Sequence, residues 1–119
     1  VTHDAVGDTA MTGRFCQEVL VDRKPAFAVL WQCEPDHSQH SHELGSPAHL
    51  AAIAAADANA GTVANTVDAL NAAGEDILLL IGSDHGHETV GVIIDLDAEL
   101  IAAGFKAHTD SCDVVVTSQ

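Results

Sequence analysis

The sequence predicts an α/β fold, a parallel-sheet βαβ segment in which one long helix joins two buried strands. Phe27-Ala28-Val29-Leu30-Trp31 and Ile77-Leu78-Leu79-Leu80-Ile81 are continuous apolar runs of strand length, the pattern of strands covered on both faces. Between them, Ser46-Pro47 opens a long helix-periodic stretch, with Ser as N-cap and Pro at the first helical position. Strand, helix, strand in that order requires parallel strands and a right-handed crossover. Each run is followed directly by an acidic-histidine signature, Glu34-Pro35-Asp36-His37-Ser38-Gln39-His40 after the first and Ser83-Asp84-His85-Gly86 after the second.

Each element has its own warrant. Ala10, Met11, Phe15, Val19 and Leu20 fall near helical spacing and predict a helix from Thr9 to Leu20, started by Asp8 or Thr9. Lys24-Pro25 breaks the chain ahead of the first strand. Residues 33–46 are polar, contain Pro35 and Gly45, and read as a loop. The helix that begins at Pro47 carries Leu50, Ile53, Ala56, Ala60, Val63, Val67 and Leu70 as one stripe and extends about 24 residues, roughly 36 Å. Gly61 is its weak point, where a kink is permitted, and Gly74 closes it. After the second strand, Val90 to Ile94 reads as a short extended piece or a loop, Asp97 to Gly104 as a short helix, and Val114-Val115-Val116 as a last strand.

The 119 residues make one domain, 1–119, with 47% hydrophobic residues and a core of small aliphatics. Four basic residues against eighteen acidic ones leave a formal charge of −14, which excludes a basic patch for nucleic acid or anionic membrane. No apolar run approaches the length of a membrane span. Cys16, Cys33 and Cys112 form neither a disulfide framework nor a zinc-finger pattern, and free thiols of this kind suit a reducing, cytoplasmic compartment. The chain starts at Val1 without a leader and is expected to be processed or cut from a longer protein.

The two signatures carry the chemistry. Asp and His are oxygen and nitrogen ligands suited to zinc or manganese. Asp36 and His40, four residues apart, can share one ion if the segment turns locally. Asp84 and His85 are adjacent, so they can chelate only from a bend, and Gly86 gives the backbone that freedom. If both signatures leave carboxyl ends of parallel strands, they meet where open α/β sheets place their ligand sites. Each half supplies two ligands where a metal needs three or four. His37, His42 and His49 read as surface residues, and His87 as a residue that can at most support the bend from outside.

Glu-Pro-Asp-x-x-x-His, the Ser-Pro-started helix with Ala56-Asp57-Ala58, and Ile-Gly-Ser-Asp-His-Gly together resemble the alkaline phosphatase superfamily, in its type I phosphodiesterase and nucleotide pyrophosphatase branch, which includes phosphonoacetate hydrolase. The likeness runs from about Arg23 to Gly86. It implies an alkaline-phosphatase-like three-layer fold and two divalent ions, zinc or alternatively manganese. Asp36 and His40 would bind one ion, and Asp84 and His85 the other. It implies a metal-dependent phosphoric ester hydrolase acting on a small phosphoric ester or phosphonate. The family's nucleophile, a further Asp and a late His find no match here, so the chain is expected to be an internal segment, inactive without the remainder of its parent chain. A mutase- or sulfatase-like relative, or a non-catalytic metal-binding module, are the alternatives.

Overall fold

A computed structural model describes residues 3–117 of the chain. It falls into two compact units, Val1–Thr89 and Val90–Gln119. In the first, helix α1 (Ala5–Arg14) starts at Asp4, whose carboxylate accepts the Gly7 N–H at 2.7 Å. The same helical path continues as a π-helical segment, Phe15–Arg23. It stops at Lys24, which is left-handed (φ 47°) and donates its N–H to the Val19 carbonyl at 2.9 Å. Pro25 disfavours an α conformation at Lys24 and has no N–H of its own, so the helix cannot go further. The helix therefore begins ahead of the residues that periodicity marks. Asp4, not Asp8 or Thr9, caps it, because Asp8 is turned inward and is only 2% exposed.

Helix α2 is a single turn, Asp36–Gln39, inside the segment that the sequence marks as loop. Helix α3 spans Pro47–Ala72. Ser46 caps it by accepting the His49 N–H at 3.3 Å, and the helix runs unbroken through Gly61. Past its end Gly74 takes φ 104°, a conformation that glycine adopts without steric cost. The α3 face that is buried holds His49, Ala52, Asn59, Val63 and Val67. Leu50 and Ile53, part of the predicted stripe, stay 56% and 41% exposed. His49 accounts for the rotation: its Nδ1 accepts the Gly45 N–H at 2.7 Å and its Nε2 meets Gln39 Nε2 at 3.0 Å. These bonds turn the first turn of α3 toward α2 and leave Leu50 outside.

The α/β prediction is corrected. Among the described residues there is no β-strand, and the regular structure is helical throughout. Both apolar runs are extended, and over residues 27–31 and 77–80 their burial alternates with the two-residue period of a strand, while Ile81 is exposed and out of phase. Ala28, Leu30, Ile77 and Leu79 are turned inward; Phe27, Val29, Trp31, Leu78 and Leu80 are exposed. Leu30, Ile77 and Leu79 pack on Cys16, Val63 and Val67, the shared core of the helices. What is missing is the ladder. No backbone-to-backbone hydrogen bond joins either run to another extended segment among the described residues. A parallel sheet buries both faces of its strands, and here one face of each run has no cover. The alkaline-phosphatase-like three-layer architecture is therefore not the fold of this chain.

Side chains tie the two runs together at their ends. Lys24 pairs with Glu75 where the runs begin, and His87 meets Asp36 where they finish. Both ties span the same 51 residues, so the runs point the same way over equal lengths. At the start of the second run, Asn71 on α3 reproduces a strand partner locally. Its Oδ1 accepts the Ile77 N–H at 2.8 Å and its Nδ2 donates to the Ile77 carbonyl at 3.0 Å.

In the second unit, helix α4 (Leu96–Ala102) is capped by Asp95, which accepts the Ala98 N–H at 3.1 Å. Lys106 is buried and donates to the carbonyls of Ser111 (3.0 Å) and Val114, with Asp97 3.3 Å away. Val90 to Ile94 and Val114-Val115-Val116 form no strand.

Candidate metal centre

All the candidate ligands lie in the first unit. Asp36 opens the α2 turn, and His40 follows that turn as its C-cap residue, with its N–H bonded to the Asp36 carbonyl at 3.1 Å. One helical turn thus sets Asp36 and His40 on the same side, and His40 Nε2 lies 3.5 Å from Asp36 Oδ1. On the other side, the chain leaving the second run bends at Asp84, across which the Ser83 hydroxyl donates to the His85 carbonyl. His87 Nε2 reaches Asp36 Oδ1 at 2.8 Å, and His85 Nε2 lies 3.7 Å from the same oxygen. His85 and His87 have ring centroids 5.4 Å apart, and the His40 ring meets His87 edge-on at 4.9 Å.

Asp36, His85 and His87 form a group whose ligand atoms all lie within 4.8 Å of one another. His40 sits beside that group. Asp84 lies outside it, its carboxylate 3.7 Å from His85 Nε2. Sequence reasoning pairs Asp84 with His85 and leaves His87 aside. In an extended chain neighbours project to opposite sides, while residues two apart share one. His85-Gly86-His87 therefore offers two imidazoles on one side. That H-x-H spacing is the signal that adjacency obscured.

The electrostatics are those of a compact cation-seeking cluster. The hydrogen bond from His87 is the main influence that holds the Asp36 carboxyl below the usual range, and His40, His87 and His85 act in the same direction against partial burial. The His85 ring is pushed up, first by its bond to the Gly86 carbonyl, then by the Asp84 and Asp36 carboxylates. His87 is the most enclosed of the three, its side chain 16% exposed against 53% for His85 and 48% for Asp36.

The donor set fits a borderline-soft divalent ion. Metal–ligand bonds of about 2.0–2.1 Å in a tetrahedral shell place donors roughly 3.3 Å apart. Distances of 2.8, 3.5 and 3.7 Å around Asp36 Oδ1 bracket that value. The described residues contain one such group, not two, so the two-ion expectation is reduced to one candidate centre.

Fold and site thus define a helical chain with one Asp/His/His cluster. A family model described as type I phosphodiesterase / nucleotide pyrophosphatase matches residues 1–117, and the chain belongs to that family. Neither a curated protein nor a solved structure matches it. The narrower resemblance, a piece of an alkaline-phosphatase-superfamily enzyme of the phosphonoacetate hydrolase kind, is corrected by the structure. Its chemistry depends on a sheet whose strand ends fix two ions, and the described residues form no sheet. The phosphodiesterase and pyrophosphatase hydrolase assignment falls with that architecture. No helix of the described residues is long and apolar enough to cross a membrane.

Proposed function

We propose that this chain binds one divalent transition-metal ion, zinc in the first instance, through Asp36, His85 and His87. The observation that carries this reading is the mutual proximity of the three donor atoms, all within 4.8 Å. Two neutral imidazoles and one carboxylate favour zinc over calcium or magnesium, which take oxygen-rich shells. The exposed side of the cluster leaves room for His40 or water as a fourth ligand. His87 already donates to the Asp36 carboxylate, so little rearrangement is needed to replace that hydrogen bond by two metal bonds.

The test is metal stoichiometry by equilibrium dialysis with elemental analysis, on the chain and on its variants. One zinc per chain is expected, and His87→Ala and Asp36→Ala should each weaken binding by about 100-fold or more, as loss of one of three protein ligands implies. Asp84→Ala should retain most of the affinity. A folded chain that takes up no zinc, or one that loses it on Asp84→Ala but not on His87→Ala, overturns this assignment.

A further inference from the structure

Asp8 is no part of the cluster, yet it and Thr12 are the most deeply buried side chains described, 2% and 1% exposed. A buried carboxylate is costly unless its oxygens are filled. Asp8 fills them with the chain that leads into the cluster. The Cys33 N–H points at both oxygens at 3.1 Å, and the Glu34 N–H reaches Oδ2 at 2.8 Å. One turn on, Thr12 Oγ1 accepts from Gln32 Nε2 at 3.1 Å while donating to the Asp8 carbonyl at 2.8 Å. Helix α1 therefore grips residues 32–34 through two successive turns of one face.

The grip is passed on. Glu34, 8% exposed, accepts the Ser38 N–H at 3.1 Å through Oε2 and the Ser38 hydroxyl at 3.0 Å through Oε1. Ser38 lies in α2, the turn that presents Asp36 and leads to His40. Asp8 makes no ion pair with a lysine or arginine among the described residues; backbone N–H dipoles hold it instead.

We propose that Asp8 is the positioning residue of the metal centre: through Cys33, Glu34 and Ser38 it fixes the α2 turn so that Asp36 faces His85 and His87. Groups that hold a ligand from outside the shell commonly change metal affinity by about 10–100-fold when removed. This inference rests on the metal-binding reading, and its test separates the two. Asp8→Asn keeps the shape of the side chain but turns one acceptor into a donor, which opposes the Cys33 and Glu34 N–H groups.

The experiment compares the wild-type chain with Asp8→Asn, Glu34→Ala and Asp36→Ala. Cobalt(II) titration is followed by its d–d absorption, and amide hydrogen exchange is measured without metal. Asp8→Asn and Glu34→Ala should each weaken cobalt binding by about 10–100-fold and alter the d–d bands. Both should also accelerate exchange at Ser38 and His40 while α3 amides remain protected. Wild-type cobalt affinity and band shape in Asp8→Asn, with binding lost in Asp36→Ala, would overturn the positioning role and leave the metal reading standing. If the wild type binds no metal, the metal reading fails, and the exchange arm still decides whether Asp8 fixes the turn. If Asp8→Asn does not fold, Glu34→Ala carries the same two readouts.

Discussion

The helices of the first unit and the two extended runs that lie on them contribute to the same core, and they reach it by different routes. A helix satisfies its own backbone, so α3 needs only a cap at Ser46, a stop at Gly74 and one face to bury. An extended run cannot do this. Residues 27–31 and 77–80 reproduce a strand in burial period and direction, but their hydrogen bonds require a neighbour that is not among the described residues. Where such a neighbour is lacking, side chains stand in for it on the backbone, Asn71 at Ile77 and Asp8 at Cys33 and Glu34. The difference shows that strand-like patterning and sheet formation are separate facts.

The sharpest way to test that substitution of side chain for strand is at Cys33, where a run ends on helix α1. Burial, followed by the nearby Asp8 carboxylate, pushes the Cys33 thiol up to about 11. Because the charged form is the disfavoured one, thiolate appears only as pH rises toward that value. At pH 8 Cys33 is therefore held as the thiol, whereas an unperturbed thiol is already partly ionised there. Iodoacetamide followed by peptide mass spectrometry should label the exposed Cys112 at least about 100-fold faster than Cys33. Comparable rates for the two would mean that Asp8 does not enclose this end of the run.

Next in size is the contrast between the packed and open faces. Val67 is 5% exposed within the shared core, while Phe27 is 83% exposed on its run. Val67→Ala should cost about 2 kcal/mol, from lost burial and the cavity left behind. Phe27→Ser should stay within about 0.5 kcal/mol, as for other exposed substitutions. Urea unfolding of both variants measures this directly. An equal cost at Phe27 would show that the open face is covered in solution.

These contrasts also explain what could be read in advance. The long helix was legible because its signals are local: Ser46-Pro47 in front, Gly74 behind and Val63 and Val67 in phase. Its first turn was not, because burial there is decided by His49 bonding to Gly45 and Gln39, partners that periodicity cannot see. Two apolar runs predict a sheet, but their composition reports burial and not pairing. In the centre, Asp36 and His85 stood out by motif, whereas His87 joined them through the two-residue period of an extended chain. Asp8 looked like a helix cap, and only the long-range bonds to Cys33 and Glu34 reveal its other use.

The smallest effect should come from the tie at the start of the runs. Lys24 and Glu75 are 53% and 39% exposed, so water competes for both charges and two flexible side chains must be ordered. A double-mutant cycle of Lys24→Ala and Glu75→Ala should give a coupling of about 0.2–1 kcal/mol, fading in 1 M salt where the screening length is about 3 Å. The spacing of the runs must then come mainly from Leu30, Ile77 and Leu79 on the helical core. A salt-independent coupling above about 2 kcal/mol would reverse that ranking. It would make the ion pair, and not the packed face, the element that sets where the second run lies and so where His85 and His87 arrive.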